Sequence, residues 1–169
     1  MAKKKKIHKK INPHHISNRD KIKRFLSNHK DKFIIFGILL VGLIIRLIFL
    51  SQIKANDPNF LHFEGTDSGN YDSLAMQVLD GNLPKSPYSF NPLYFYFLSI
   101  IYSFMEHNPF KAINVQIFIG LGTCFLVYLI GKHLFNKPIG LIAAGICSLY
   151  GAFMVYETIL LTTVLDTFL

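Results

Sequence analysis

The sequence predicts an all-α fold, a polytopic membrane helical bundle with two juxtamembrane helices in its first outer loop. Three observations carry this. Of the 169 residues, 51% are in the hydrophobic set and 14% are aromatic, and the mean hydropathy of +0.34 is too high for an ordinary soluble domain. The apolar residues are gathered into runs of membrane-spanning length. Charge is lopsided, with 18 Lys and Arg against 10 Asp and Glu, and most of the bases lie in residues 1–32. Disorder throughout, a disulfide scaffold and a plain cytosolic enzyme are excluded; Cys124 and Cys147 both sit in apolar stretches and read as core packing.

Residues 1–32 form a basic head, read as disordered and cytoplasmic. A Lys/Arg cluster beside a span serves topology and anionic lipid headgroups rather than nucleic acid, and no nucleic-acid partner is expected. Residues 33–53, FIIFGILLVGLIIRLIFLSQI, are the first transmembrane helix, about 30 Å at helical rise. A cleaved signal peptide fails on length, on the long preamble and on the missing cleavage pattern. The second transmembrane helix spans 110–131. A tight basic turn with Lys132 and Lys137 leads through Pro138, a good first helical residue, into the third, 138–156. Glu157 then interrupts, and 157–169 reads as the start of a fourth, truncated helix; on that ground the chain is expected to be an N-terminal fragment. Both basic segments should lie on the cytoplasmic side. This makes a multi-pass protein of the cell (inner) membrane with a cytoplasmic N-terminus.

The outer loop, 54–109, carries two amphipathic interfacial helices. In Gly65-Thr66-Asp67-Ser68-Gly69-Asn70-Tyr71-Asp72-Ser73-Leu74-Ala75 the apolar residues from Tyr71 through Leu79 recur on one helical face. Asp67 or Ser68 caps the start, and Gly81 with Pro84 ends it. Asp67 therefore stands at a helix N-terminus, where free N–H groups favour its ionised form; a capping role and a chemical role are both open. Asn91-Pro92 opens a second, aromatic helix too short to cross a bilayer, suited to the headgroup interface. Arg46, inside the first span, either snorkels to the outer surface or lines a polar cavity for an anionic group. Glu157, at the outer junction, is either a turn carboxylate or a partner facing Asp67.

This ordered set of features is similar to the N-terminal part of the GT-C membrane glycosyltransferases: a basic head, Arg46-Leu47 late in the first span, Asp67-Ser68-x-x-Tyr71-x-x-x-Ala75, Asp80-Gly81, Asn91-Pro92-Leu93-Tyr94 and Asn114-Val115-Gln116. The branch it resembles is the bacterial, family 39-like group of protein O-mannosyltransferases and aminoarabinose transferases. The resemblance implies transfer of a sugar from a polyprenyl-phosphate-linked donor to an acceptor at the outer membrane face. It makes Asp67, by position, the catalytic acidic residue. The chemistry of such a transfer suits Asp67 as general base, Glu157 as its assistant or a cation ligand, Arg46 on the donor phosphate and Tyr71 in the sugar pocket. Many members carry Asp-Glu where this chain has Asp67-Ser68. A divalent metal ion is compatible with the chemistry; the sugar and the acceptor are not specified, and membrane lipid is the other expected partner. Two competing readings remain: a polytopic transporter or flippase subunit, with Arg46 and Glu157 on a substrate path, and a non-catalytic membrane scaffold.

Overall fold

The computed structural model describes residues 18–82 and 90–169, with side chains described from residue 30 onward. Seven helices follow one another among them: α1 Asn18–Asn56, α2 Asp67–Leu79, α3 Pro92–Met105, α4 Pro109–Leu134, α5 Lys137–Leu149, α6 Gly151–Glu157 and α7 Thr163–Phe168. No strand occurs among the described residues. Within α1 the stretch Lys30–Asn56, and the whole of α4, are long and apolar enough to cross a membrane.

The expected disordered head is corrected in part. Residues 18–32 continue α1 toward the N-terminus, because extending an established helix adds one hydrogen bond for each residue fixed; residues 1–17 lie outside the described residues. α1 and α4 run antiparallel, as contacts at both ends show. At one end the Lys54 ammonium lies 4.4 Å from the Phe110 ring centroid. At the other, Tyr128 donates to Asp31 Oδ2 at 3.3 Å, and Lys137 Nζ lies 3.2 Å from the same oxygen. Bases from both basic segments thus share one end of the bundle.

The α4–α5 turn consists of Phe135 and Asn136, and the Asn136 side chain accepts the Ile139 N–H at 3.0 Å. Pro138 in the first turn of α5 lacks the N–H that would otherwise go unsatisfied there.

The third span is not the continuous helix expected over 138–156. It breaks at Tyr150, whose φ of −73° and ψ of 108° are extended, and α5 and α6 meet at a bend of 54°. A break inside a bundle leaves orphan carbonyls at the end of the first piece and at the end of the second. Lipid offers nothing to satisfy them, so side chains must. Arg46 Nη1 donates to the carbonyl of Ser148 in α5 at 2.8 Å. Gln116 Nε2 donates to the carbonyls of Glu157 and Ile159, both at 3.0 Å, as α6 ends. The fourth span expected from residue 157 likewise begins differently: the chain turns through 158–162 before the short α7, which packs back on α4.

The core lies toward the end of the bundle that carries the loop. Tyr94, Phe95, Leu98, Ile101 and Tyr102 of α3 are buried against Tyr71 and Ala75 of α2, Ala112, Ile113 and Ile117 of α4 and Leu50 of α1. The opposite face of α3, with Leu93, Ile100 and Phe104, is exposed. The loop is therefore packed onto the spanning helices by one aromatic face, and a second apolar face remains outward.

Candidate functional site

The start of α2 is fixed by its own sequence. Thr66, extended at φ −109° and ψ 162°, is the N-cap, and its Oγ1 accepts the Gly69 N–H at 3.3 Å. The same hydroxyl donates to the Phe63 carbonyl at 2.7 Å. The cap expected of Asp67 or Ser68 thus belongs to Thr66, one residue earlier. Ser68 is buried, whereas Asp67 is exposed in the first turn of the helix, where the unpaired N–H groups favour a carboxylate. Among the described residues no hydrogen-bond donor holds the Asp67 side chain. Gly69 is required by close approach: a Cβ there would stand 2.2 Å from the Phe63 carbonyl oxygen.

Beside this turn an open cleft of about 560 Å³ is lined by residues 61–66, Gly69, Asn70, Asp72, His107 and Pro109. Thr66, just before Asp67, and Gly69, two residues after it, are part of its wall, whereas Asp67 itself is not. Asp72 is engaged: Tyr102 donates to its Oδ1 at 2.6 Å, and His107 Nε2 lies 2.9 Å from its Oδ2. Burial, and then the neighbouring Asp72 carboxylate, push the Tyr102 phenol well above its usual range, so it stays protonated and donates. This trio ties α2 to the end of α3 and to the α3–α4 turn. Sequence reasoning missed it, because residues 72, 102 and 107 share no local pattern.

Tyr71 is buried on the inner face of α2. Its hydroxyl oxygen accepts the Asn91 N–H at 3.3 Å, and its ring meets Phe90 and Tyr94 edge-on, at 5.2 and 4.9 Å between centroids. It fastens α2 to the start of α3 and does not line the cleft, in place of the expected position in a sugar pocket. Tyr94 in turn donates to Gln116 Oε1; burial raises its phenol above the usual range, keeping the proton that the bond needs.

Arg46 and Glu157 are brought together, 111 residues apart. Arg46 is 1% exposed and Glu157 3%. Nε donates to Oε2 at 2.6 Å and Nη2 to Oε1 at 3.1 Å, the two-pronged geometry that suits a guanidinium and a carboxylate. The remaining Arg46 donors reach the carbonyls of Ser148 and Gly42, at 2.8 and 3.4 Å, and Cys124 Sγ at 3.8 Å. Arg46 therefore neither snorkels to a surface nor has a free donor for a phosphate. Glu157 does not face Asp67, since both its oxygens are held by Arg46. Its side chain is also packed on Gly120, where a Cβ would lie 1.9 Å from Oε1. A lone Arg in one span and a lone Glu ending another were the available signal: intramembrane charges of opposite sign pair with each other.

Among the described residues no three His, Cys, Asp or Glu side chains converge on a metal position. Without such a group of three, the described residues do not assemble a site for a divalent cation beside Asp67.

Compared with known proteins, residues 85–169 match the family model described as dolichyl-phosphate-mannose-protein mannosyltransferase, about half of the chain. The matched segment contains α3 to α7, with Gln116 and Glu157, and begins beyond Asp67. No curated protein and no solved structure matches the chain.

Proposed function

We propose, because the chain belongs to the dolichyl-phosphate-mannose-protein mannosyltransferase family, that this membrane glycosyltransferase moves a sugar from a polyprenyl-phosphate carrier to an acceptor at the outer face of the cell membrane, with Asp67 as general base. The observation that carries the reading is the contrast between two carboxylates on α2. Asp72, in the cleft wall, is held by Tyr102 and His107, whereas Asp67, beside the cleft and next to its wall residue Thr66, is exposed in the first helical turn with no such partner among the described residues.

In the reaction an acceptor hydroxyl oxygen forms a bond to the anomeric carbon as the bond from that carbon to the carrier phosphate breaks. The phosphate leaves with the electron pair, and Asp67 takes the hydroxyl proton. Attack opposite the leaving group inverts the anomeric centre. An ionised base is needed at the moment of attack, and the helix N-terminus favours that form. The apolar outer face of α3 leaves room for the carrier's hydrocarbon while the cleft stays wet.

Tyr71 and the Arg46–Glu157 pair act at one remove, as positioning residues: Tyr71 holds α2 on α3, and the ion pair holds the broken third span on α1. The clustering of Lys32, Lys132 and Lys137 at the end of the bundle away from the loop supports an orientation with that end cytoplasmic and the loop outside.

The test is Asp67→Asn in the full-length protein, reconstituted with a polyprenyl-phosphate sugar and an acceptor. Loss of a general base lowers turnover by about 10²–10⁴-fold, with the carrier still bound. Transfer at near wild-type rate would remove Asp67 from the chemistry.

A further inference from the structure

At the end of the bundle remote from the loop, a groove of about 390 Å³ runs between α1 and α4. Ile35 and Tyr128 are buried in it and Leu39 is half-buried, while Phe36, Phe125 and Leu129 stand exposed along its sides. Lys32 lies one turn before Phe36 on α1, and Lys132 one turn after Tyr128 on α4; because the helices are antiparallel, both cap the same end of the groove. Asp31 is the acid described at this end, and its Oδ2 is taken by Lys137 at 3.2 Å and by the Tyr128 hydroxyl at 3.3 Å. Lys132 stands further off, at 3.9 Å. One carboxylate is thus shared by Lys137 and Lys132, Lys30 and Lys32 flank it in the chain, and the groove mouth keeps excess positive charge above an apolar trough.

A trough of that form in the hydrocarbon, closed by two ammonium groups at headgroup level, complements a molecule with a phosphate and a hydrocarbon tail. We propose that it binds an anionic diacyl phospholipid, with the phosphate between Lys32 and Lys132 and one acyl chain along Phe36, Leu39, Phe125 and Leu129. A second, more open hollow adjoins at Leu129 and Lys132; it is lined by Leu129, Ile130 and Leu134 with Lys132 and His133, and its apolar part takes the other chain. Assignment to the cytoplasmic leaflet rests on the orientation proposed above; the binding itself does not.

Native mass spectrometry of the delipidated full-length protein tests this, titrating phosphatidylglycerol and phosphatidylcholine of identical chains. Phosphatidylglycerol should be retained in preference. Lys32→Gln with Lys132→Gln should lower that retention about 30-fold at low salt, at about five-fold for each lysine, and leave phosphatidylcholine unchanged. Leu39→Trp, which fills the trough, should weaken both lipids. Neutralising Lys3 to Lys6 should leave the preference in place. Equal retention of the two lipids, an unaffected lysine variant, loss through the head lysines alone, or tighter retention of a polyprenyl phosphate would each overturn the proposal. The readout involves no sugar transfer, so an inactive Asp67 assay and a failed lipid titration refute different statements.

Discussion

Replacing Glu157 with Gln isolates what the buried ion pair contributes. The substitution keeps the shape of the side chain and removes its charge, leaving a guanidinium that is 1% exposed and does not deprotonate in proteins. One Gln oxygen still accepts from Arg46, but the amide NH₂ now meets an Arg46 N–H, donor against donor. With charge centres about 4 Å apart and an effective dielectric of about 20, the lost attraction is about 4 kcal/mol. Truncating one partner of a buried pair in other proteins costs about 3–5 kcal/mol. Nη1 retains the carbonyls of Ser148 and Gly42, which keeps the expectation toward the lower part of that range. A typical folding free energy of about 5–15 kcal/mol makes this a large fraction of the total.

The measurement is unfolding of the full-length protein in mild detergent, run as a cycle with Arg46→Gln and with both changes together. The double variant should recover much of the loss of the single ones, because neither charge is then left unpaired. A change below about 1 kcal/mol in Glu157→Gln would sink the strut assignment. So would additive single effects, or abolished transfer at unchanged stability, which would return Glu157 to the chemistry.

Gly69→Ala should lower transfer strongly at modest loss of stability, because the new Cβ meets the Phe63 carbonyl 2.2 Å away and displaces the turn that carries Asp67; parallel turnover and melting measurements check it. Tyr102→Phe removes a donor from Asp72 and should cost about 1.5–3 kcal/mol, the range for a hydrogen bond to a charged group. Its coupling to Asp72→Asn in a double-mutant cycle is the check, and no coupling would refute the trio. Cysteine accessibility in intact cells should label Ser73→Cys from outside and leave Asn136→Cys protected; the reverse pattern would invert the proposed orientation.

Local signals were legible and non-local ones were not. Asn91-Pro92 and Asn136 before Pro138 announce helix starts because capping and the missing proline N–H act within three residues, and Asn91 and Asn136 accept from Leu93 and Ile139. At Thr66-Asp67-Ser68 three neighbours carry side chains able to cap; Asp67 and Ser68 are the expected ones, and the cap is Thr66, whose hydroxyl also reaches Phe63. The break at Tyr150 was hidden by hydropathy, since an apolar run reads the same whether its helix is straight or bent. At the break Arg46, on another helix, reaches a loose carbonyl, that of Ser148, and Gln116 holds the carbonyls of Glu157 and Ile159 where α6 ends. Asp67 and Tyr71 share a motif but not a fate: one helical turn apart on nearly the same side of α2, Asp67 stands exposed in the first turn while Tyr71 is covered by Phe90 and Tyr94.

The polar groups inside the bundle therefore have a common explanation. A span that breaks halfway and then ends inside the bundle must find donors for the carbonyls it frees; Arg46 supplies one at the break and Gln116 two where α6 ends. A donor as strong as Arg46 then requires a counter-charge, which Glu157 provides from the end of the broken segment itself. Gln116 still has an acceptor oxygen, and Tyr94 of α3 uses it. Tyr94 packs against Tyr71, and Tyr71 lies one helical turn from Asp67. The geometry of the loop is thus fixed by the same groups that make the broken span tolerable. Substitutions at Gln116 should consequently disturb the loop as well as the span: Gln116→Leu frees the Tyr94 hydroxyl and two carbonyls at once. Faster hydrogen exchange confined to 157–169, with α2 and α3 unchanged, would show that the two are not joined in this way.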